Sequence, residues 1–282
     1  MGVVDAGLTP TNVKYSYTAE TFRSTITVTK LNIGASTLKG VKGQMTIQLN
    51  AISYDMYSGG SPNTFWTQDV VSVIQEAGGK YAIQGVDNIW NFNAGGGSVP
   101  SSIAGNLLND CKTSGHPTQW FCFSKQIFVT TLPFTITLEM GVGVLQSGPH
   151  AGSSGVDFAF GVKHGSTVLG SVTYDQVAFA GPAGATPFYL VQDSLAPIGA
   201  PIVNDAETVF CGPGGGSSVA ITAIAAHITE DYAATFGGKF VSVPHAFSEG
   251  RDTAETVSGV AMTALGKTGD ASHGTDSFVS LW

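Results

Sequence analysis

Short runs that are apolar, or that alternate apolar and polar residues with a period of two, recur throughout the chain, bounded by Gly, Pro, Asn or Ser. Successive side chains of a strand point to opposite faces, so this alternation marks sheets with one buried face. The runs are TITVTKLNI, QMTIQLNAI, FWTQDVVSVI, YAIQGVDNIWNF, QIFVTTLPFTITLEM, VDFAFGVKHG, STVLGSVTYDQVAFAG, PFYLVQD, ETVFCG, SVAITAIAAHI and GKFVSVPHA. All are strand-sized and rich in β-branched and aromatic residues. In QMTIQLNAI, Thr46, Gln48 and Asn50 share one face and Ile47, Leu49 and Ala51 the other; such a polar face meets solvent or lines a cleft. Helical periodicity is weak, with Ser101–Asn109 and Thr253–Leu265 the segments that admit short helices. The expectation is an all-β fold: a single large domain over residues 1–282, built of packed antiparallel sheets of β-sandwich type with one or two short helices. No repeat of 20–50 residues and no long polar linker divides it.

Composition narrows the functions. Among 282 residues only 11% are charged, against about 25% in an average soluble protein, with 37 glycines and a net charge of −8. Twelve scattered cations supply no basic face, which disfavours a nucleic-acid partner. There is no apolar run of about 18 residues to span a membrane, and MGVVDAGLTP lacks the basic and apolar regions of a signal peptide. Cys111 and Cys122 flank a turn-like insert and can close a hairpin loop in an oxidising compartment, with Cys211 left over; in a reducing one all three are free thiols. Acid denatures proteins mainly by protonating carboxylates that are paired in the folded state, so a chain with few carboxylates has little to lose. With every acid neutral, twelve Lys/Arg and six His leave a side-chain charge of +18, modest repulsion for this length. The composition permits life in strong acid, and also fits an ordinary secreted β protein.

Familiar catalytic motifs are absent. There is no G-x-S-x-G serine turn, no H-E-x-x-H, no zinc spacing among the cysteines, and the six histidines are scattered, so no metal site is expected. The glycine runs at Gly95–Gly97, Gly181–Gly184 and Gly212–Gly216 lack the Lys-Ser/Thr of a phosphate loop and read as loops. What stands out is carboxylates and amides among bulky apolar residues. Asp205 and Glu207 lie two apart in NDAETVF; in a strand they share a face, about 6–7 Å apart, and two adjacent like charges raise at least one pKa, as a protonated acid beside an ionised base requires. Asp87 in VDNIWNF shares one side with Ile89 and Asn91, with Asn88, Trp90 and Phe92 on the other, and enclosure among apolar neighbours raises a carboxyl pKa. Trp66 and Gln68 in FWTQDV, and Gln48 and Asn50 in IQLNA, repeat the pattern. Side-chain amides keep a donor and an acceptor at every pH, so they orient water or hold an oxyanion where histidine is locked as a cation. The bland reading of each cluster is a turn cap, core filler or solvated edge.

At these clusters the chain resembles the thermopsin family of acid endopeptidases, secreted proteins of archaea living in hot acid. The resemblance runs through GVVDAGL with YSYTAE, IQLNA, FWTQDV, VDNIWNF, the LPF segment at Leu132–Phe134, VTYDQV, NDAETVFCGPGGG and GRDTAET, in the family's order. Asp69 stands where Asn is expected, and Cys211 where Gly is commoner. The resemblance implies a secreted endopeptidase acting on polypeptides at low pH and high temperature, preferring large apolar side chains, without metal or cofactor. Two mechanisms stay open. A carboxyl pair, Asp87 with Glu207 or Asp205 with Glu207, activates water as in aspartic proteases; or Glu207 activates water while Gln68 holds the oxyanion, as in glutamic proteases. Glu207 is common to both, and Trp66, Trp90, Asn88, Gln48 and Asn50 are the substrate-binding candidates. D-T-G and D-S-G motifs are absent, against a pepsin-like bilobal fold. Asp175 and the pair Asp252/Glu255 are secondary candidates. The rival readings are a noncatalytic secreted β-sandwich that binds glycans or belongs to a surface layer, and a protease homologue that has lost activity.

Overall fold

In the computed structural model of the chain the described parts of these runs lie largely in strands, QIFVTTLPFTITLEM being divided between two of them at Leu132–Pro133, while PFYLVQD and GKFVSVPHA contribute only Phe188–Tyr189 and Val241–Ser242. The structure describes residues 2–8, 18–58, 61–91, 102–104, 112–113, 119–145, 151–178, 188–189, 207–214, 217, 219–242, 247–252, 262–263, 270–273 and 278–281. The strands are β1 (Gly2–Leu8), β2 (Thr18–Ala19), β3 (Thr21–Ser36), β4 (Gln44–Ser58), β5 (Ser61–Gln75), β6 (Lys80–Asn91) and β7 (Ser102–Ala104). There follow β8 (Lys112–Thr113), β9 (Gln119–Thr131), β10 (Phe134–Val144), β11 (Ser154–His164), β12 (Thr167–Ala178) and β13 (Phe188–Tyr189). The last are β14 (Glu207–Cys211), β15 (Val219–Ala233), β16 (Val241–Ser242), β17 (Phe247–Asp252), β18 (Met262–Thr263), β19 (Asp270–His273) and β20 (Phe278–Leu281).

Two large sheets result. The first has the order β17-β1-β14-β4-β5-β6-β9-β8; the second has the order β18-β20-β19-β15-β3-β10-β11-β12-β7, with β16 also on β15. Every pairing in them is antiparallel except β18 with β20. The fold is all-β, as the alternation requires. The described parts of the two segments expected as helices, Ser102–Ala104 and Met262–Thr263, are strands instead. Ser102–Ala104 pairs with Gln176–Ala178 at the edge of the second sheet, and this tertiary partner outweighs a weak helical pattern.

The sheets pack face to face over one apolar core. The first sheet contributes Ile47, Leu49, Val71, Val73 and Ile83, and the second Ile26, Val28, Ile136, Leu138, Phe158 and Ile228. Two aromatic rings take up space that glycine leaves open. A Cβ at Gly85 would stand 2.1 Å from the Phe160 ring, and one at Gly170 1.9 Å from the Phe128 ring. The two rings meet edge-on with centroids 6.1 Å apart. The β5–β6 turn carries positive φ at both Gly78 and Gly79, the backbone that tight hairpins need and that glycine adopts without strain.

Because opposite residues in a sheet share a face, the core face of the first sheet fixes its other face as well. On β4, Met45, Ile47, Leu49 and Ala51 belong to the core. Thr46, Gln48 and Asn50 therefore occupy the far face, as the alternation predicts. That face is not bathed in solvent, because Thr46 and Asn50 are buried.

Candidate functional site

On that far face the register lines up amides from three strands. Asn50 stands opposite Gln68, and Gln68 opposite Asn88. On the other side of Asn50, at the start of β14, is Glu207, and beyond Glu207 is Asp5 of β1. A single row thus crosses five strands, one strand spacing of about 4.8 Å at each step.

The amides of the row are joined head to tail. Asn88 Nδ2 donates to Gln68 Oε1. Gln68 Nε2 donates to Asn50 Oδ1 and to Gln48 Oε1, both at 2.8 Å, so both of its N–H groups are committed. Gln48 Nε2 donates to the Thr46 hydroxyl at 2.8 Å, and that hydroxyl donates to the carbonyl of Gly212 at 2.9 Å. Asn50 is 1% exposed and Gln68 5%. In so dry a setting hydrogen bonds strengthen and hold their geometry. Val209 and Cys211, opposite Gln48 and Thr46, form a small apolar cluster beside the chain of amides.

Asp87 lies on the opposite face from Gln68. It stands directly across from Asp69, between the sheets, the two being 3% and 0% exposed. Asp69 Oδ2 accepts the backbone N–H of Glu139, from the second sheet, at 3.0 Å. Both side chains are thus enclosed between the sheets, on the side away from the amide row.

The remaining candidates are placed by backbone alone. Trp66 and Trp90 face each other across β5 and β6, two residues along from Gln68 and Asn88. Asp175 belongs to β12 of the second sheet, opposite Phe158, and Asp252 to β17, opposite Gly2. Asp205 and Glu255 lie outside the described residues, as do Cys111 and the side chain of Cys122. Cys211 is a buried free thiol.

A second acidic cluster, missed in the sequence, sits on the outer face of the second sheet. Glu139, Asp157 and Thr21 line a cavity of about 90 Å³ together with Phe236 and Phe240 of the segment after β15. Burial raises the Glu139 carboxyl above the usual range, while the Arg23 guanidinium pulls it back down. Arg23 itself pairs with Asp231 at 2.9 Å and lies 3.8 Å from the centre of the Phe240 ring. Gly141 admits the Phe236 ring, since a Cβ there would come within 2.4 Å of it. The alternation TITLEM already put Glu139 on a polar face; what it lacked was the aromatic cover, which comes from far along the chain. Among the described residues no three His, Cys, Asp or Glu side chains come together as metal ligands would, and no helix is long and apolar enough to cross a membrane.

A family model, Thermopsin, matches residues 1–260, a span that includes every residue of the row. A search among curated proteins returns no match. A match over nearly the whole length, on an all-β frame, shows that the chain belongs to the thermopsin family, a family of peptidases.

Proposed function

We propose that the protein is an acid endopeptidase of the glutamic kind, in which Glu207 activates water beside the amide row anchored on Gln68. The observation that carries this reading is the register, which sets Glu207 next to a hydrogen-bonded line of amides. Amides hold their donors and acceptors in acid, where histidine is a fixed cation. In the proposed reaction the Glu207 carboxylate takes a proton from water as the water oxygen bonds to the scissile carbonyl carbon. Amide N–H groups stabilise the oxyanion that forms. Glu207 then returns the proton to the peptide nitrogen as the C–N bond breaks. The Asp69/Asp87 pair, closed between the sheets, supports the glutamic reading over an aspartic one. Secretion, activity in hot acid and a preference for large apolar side chains rest on the family resemblance and belong to the same proposal.

Hydrolysis of denatured globin at pH 3 tests it. Glu207→Gln is expected to lower turnover by about 10³-fold or more, and Gln68→Ala, which unseats the amides that Gln68 holds in place, by about 10²-fold, the scale on which losing an oxyanion donor is felt. A folded Glu207→Gln protein with wild-type turnover removes Glu207 from the mechanism. A wild-type protein that releases no peptide over a broad temperature series favours the noncatalytic glycan-binding sandwich.

A further inference from the structure

The line of amides has a direction, and one backbone carbonyl sets it. A peptide carbonyl only accepts, so the Thr46 hydroxyl spends its single proton on Gly212 and is left to accept. Gln48 must therefore turn Nε2 toward Thr46, which leaves its Oε1 facing Gln68. Gln68 answers with Nε2, reaches Asn50 Oδ1 with the same nitrogen, and takes Asn88 Nδ2 on its own Oε1. Asn50, with Oδ1 occupied on the β5 side, is held with Nδ2 turned away from it, and the strand on its other side is β14 with Glu207 opposite. Reversing any one amide would set two donors or two acceptors against each other in a buried site, at about 1–3 kcal/mol for each unsatisfied group.

Gly212 is fixed in turn by the glycine-rich loop. Ser217 N donates to the Gly214 carbonyl at 2.9 Å and Gly214 N donates to Ser217 Oγ at 3.0 Å. Ser217 is thereby held so close to Gly212 that a Cβ on Gly212 would stand 2.3 Å from the Ser217 carbonyl oxygen. Only glycine fits there, and the carbonyl it presents is the one that orients the line.

We infer that Asn50 is the working donor of the site, its Nδ2 serving the Glu207 carboxylate and the oxyanion, and that Thr46, Gln48, Gln68, Gly212, Gly214 and Ser217 are positioning residues that aim it. This rests on the proposed role of Glu207. A donor beside a carboxylate favours its charged form, which is how a glutamate stays an effective base in acid. Gln68, with both N–H groups committed, acts through Asn50.

The test uses Thr46→Val, Thr46→Ser and Gly212→Ala in the full chain. With a peptide substrate, Thr46→Val and Gly212→Ala are expected to lower kcat at least 10-fold with KM within about twofold. The acid limb of the pH–rate profile should move up by about one pH unit, because an unaimed Asn50 no longer favours the ionised glutamate. Thr46→Ser, which keeps the hydroxyl, should restore both. Independently of turnover, the Asn50 side-chain amide signal in ¹⁵N–¹H spectra should shift with pH in wild type, and lose that shift in Glu207→Gln and in Thr46→Val. If Thr46→Val keeps the wild-type acid limb or the wild-type amide titration, the orientation chain is wrong. If the amide titrates as expected but Glu207→Gln retains turnover, the orienting chain stands and the role of Glu207 as base fails.

Discussion

Replacing Asp87 by Asn asks whether the carboxyl pair between the sheets ties this fold to acid. Asp69 and Asp87 stand opposite each other on β5 and β6, both buried, with Leu49 and Cys122 as the flanking register partners. Residues so placed have Cβ atoms about 5 Å apart. Two negative charges at that separation repel by about 3 kcal/mol at an effective dielectric of about 20, and withdrawing each from water adds to the penalty. The folded protein is therefore expected to keep a proton on at least one carboxyl, whereas the unfolded chain ionises both above about pH 4. The folded state then binds more protons than the unfolded one. The sign follows: this stability is fully present below about pH 4 and is lost as pH rises through the point where the folded pair releases its proton.

Asp87→Asn removes one charge and preserves the shape. Wild type is expected to lose about 1–3 kcal/mol more than the variant between pH 3 and pH 7, a difference of about 2–4 °C in Tm per kcal/mol for a chain of this size. Thermal unfolding followed by circular dichroism at pH 3, 5 and 7 measures it. Asp69→Asn is a second arm, since an amide oxygen in the place of Asp69 Oδ2 still accepts the Glu139 N–H. Parallel pH dependence in wild type and both variants refutes the reasoning, as does a wild-type Tm that is higher at pH 7 than at pH 3 with the variants unchanged. Asp87→Asn should also digest globin at pH 3 at close to the wild-type rate, because the pair lies away from the proposed catalytic row.

Two further outcomes are expected from the frame itself. Glu139, raised by burial against the opposing pull of Arg23, contributes stability below the ordinary carboxyl range that fades as pH climbs past its raised value; Glu139→Gln should flatten urea-unfolding stability between pH 4 and pH 7. Gly85→Ala forces the Phe160 ring off the β6 backbone and should destabilise by about 1–3 kcal/mol, with Phe160→Leu in the same chain recovering part of that loss in urea unfolding; full stability in the single variant would mean the ring has room to move.

The period of two was enough to split Asp87 from Asn88 and Leu49 from Asn50, because face is a local property of a strand. It even contained the evidence for the fate of Asp87: sharing a side with Ile89, a core residue, it had to enter the core with it. What a period cannot supply is which strands become neighbours. Glu207 meets Asn50 only because β14 is inserted between β1 and β4, a long-range pairing that no local pattern encodes, and the aromatic cover over Glu139 is equally remote in sequence. Ser102–Ala104 failed as a helix for the same reason, its partner on β12 being invisible along the chain. The glycine run after Cys211 was legible as a loop, since it lacks what a phosphate loop needs. Its place in the site was not, because that depends on one carbonyl lying against one hydroxyl from another strand. An amide row with both ends free has two hydrogen-bonding senses of similar energy; a single acceptor-only group at Gly212 leaves one. The loop is therefore as much a part of the candidate site as the amides it orients, even though no atom of it need touch the substrate.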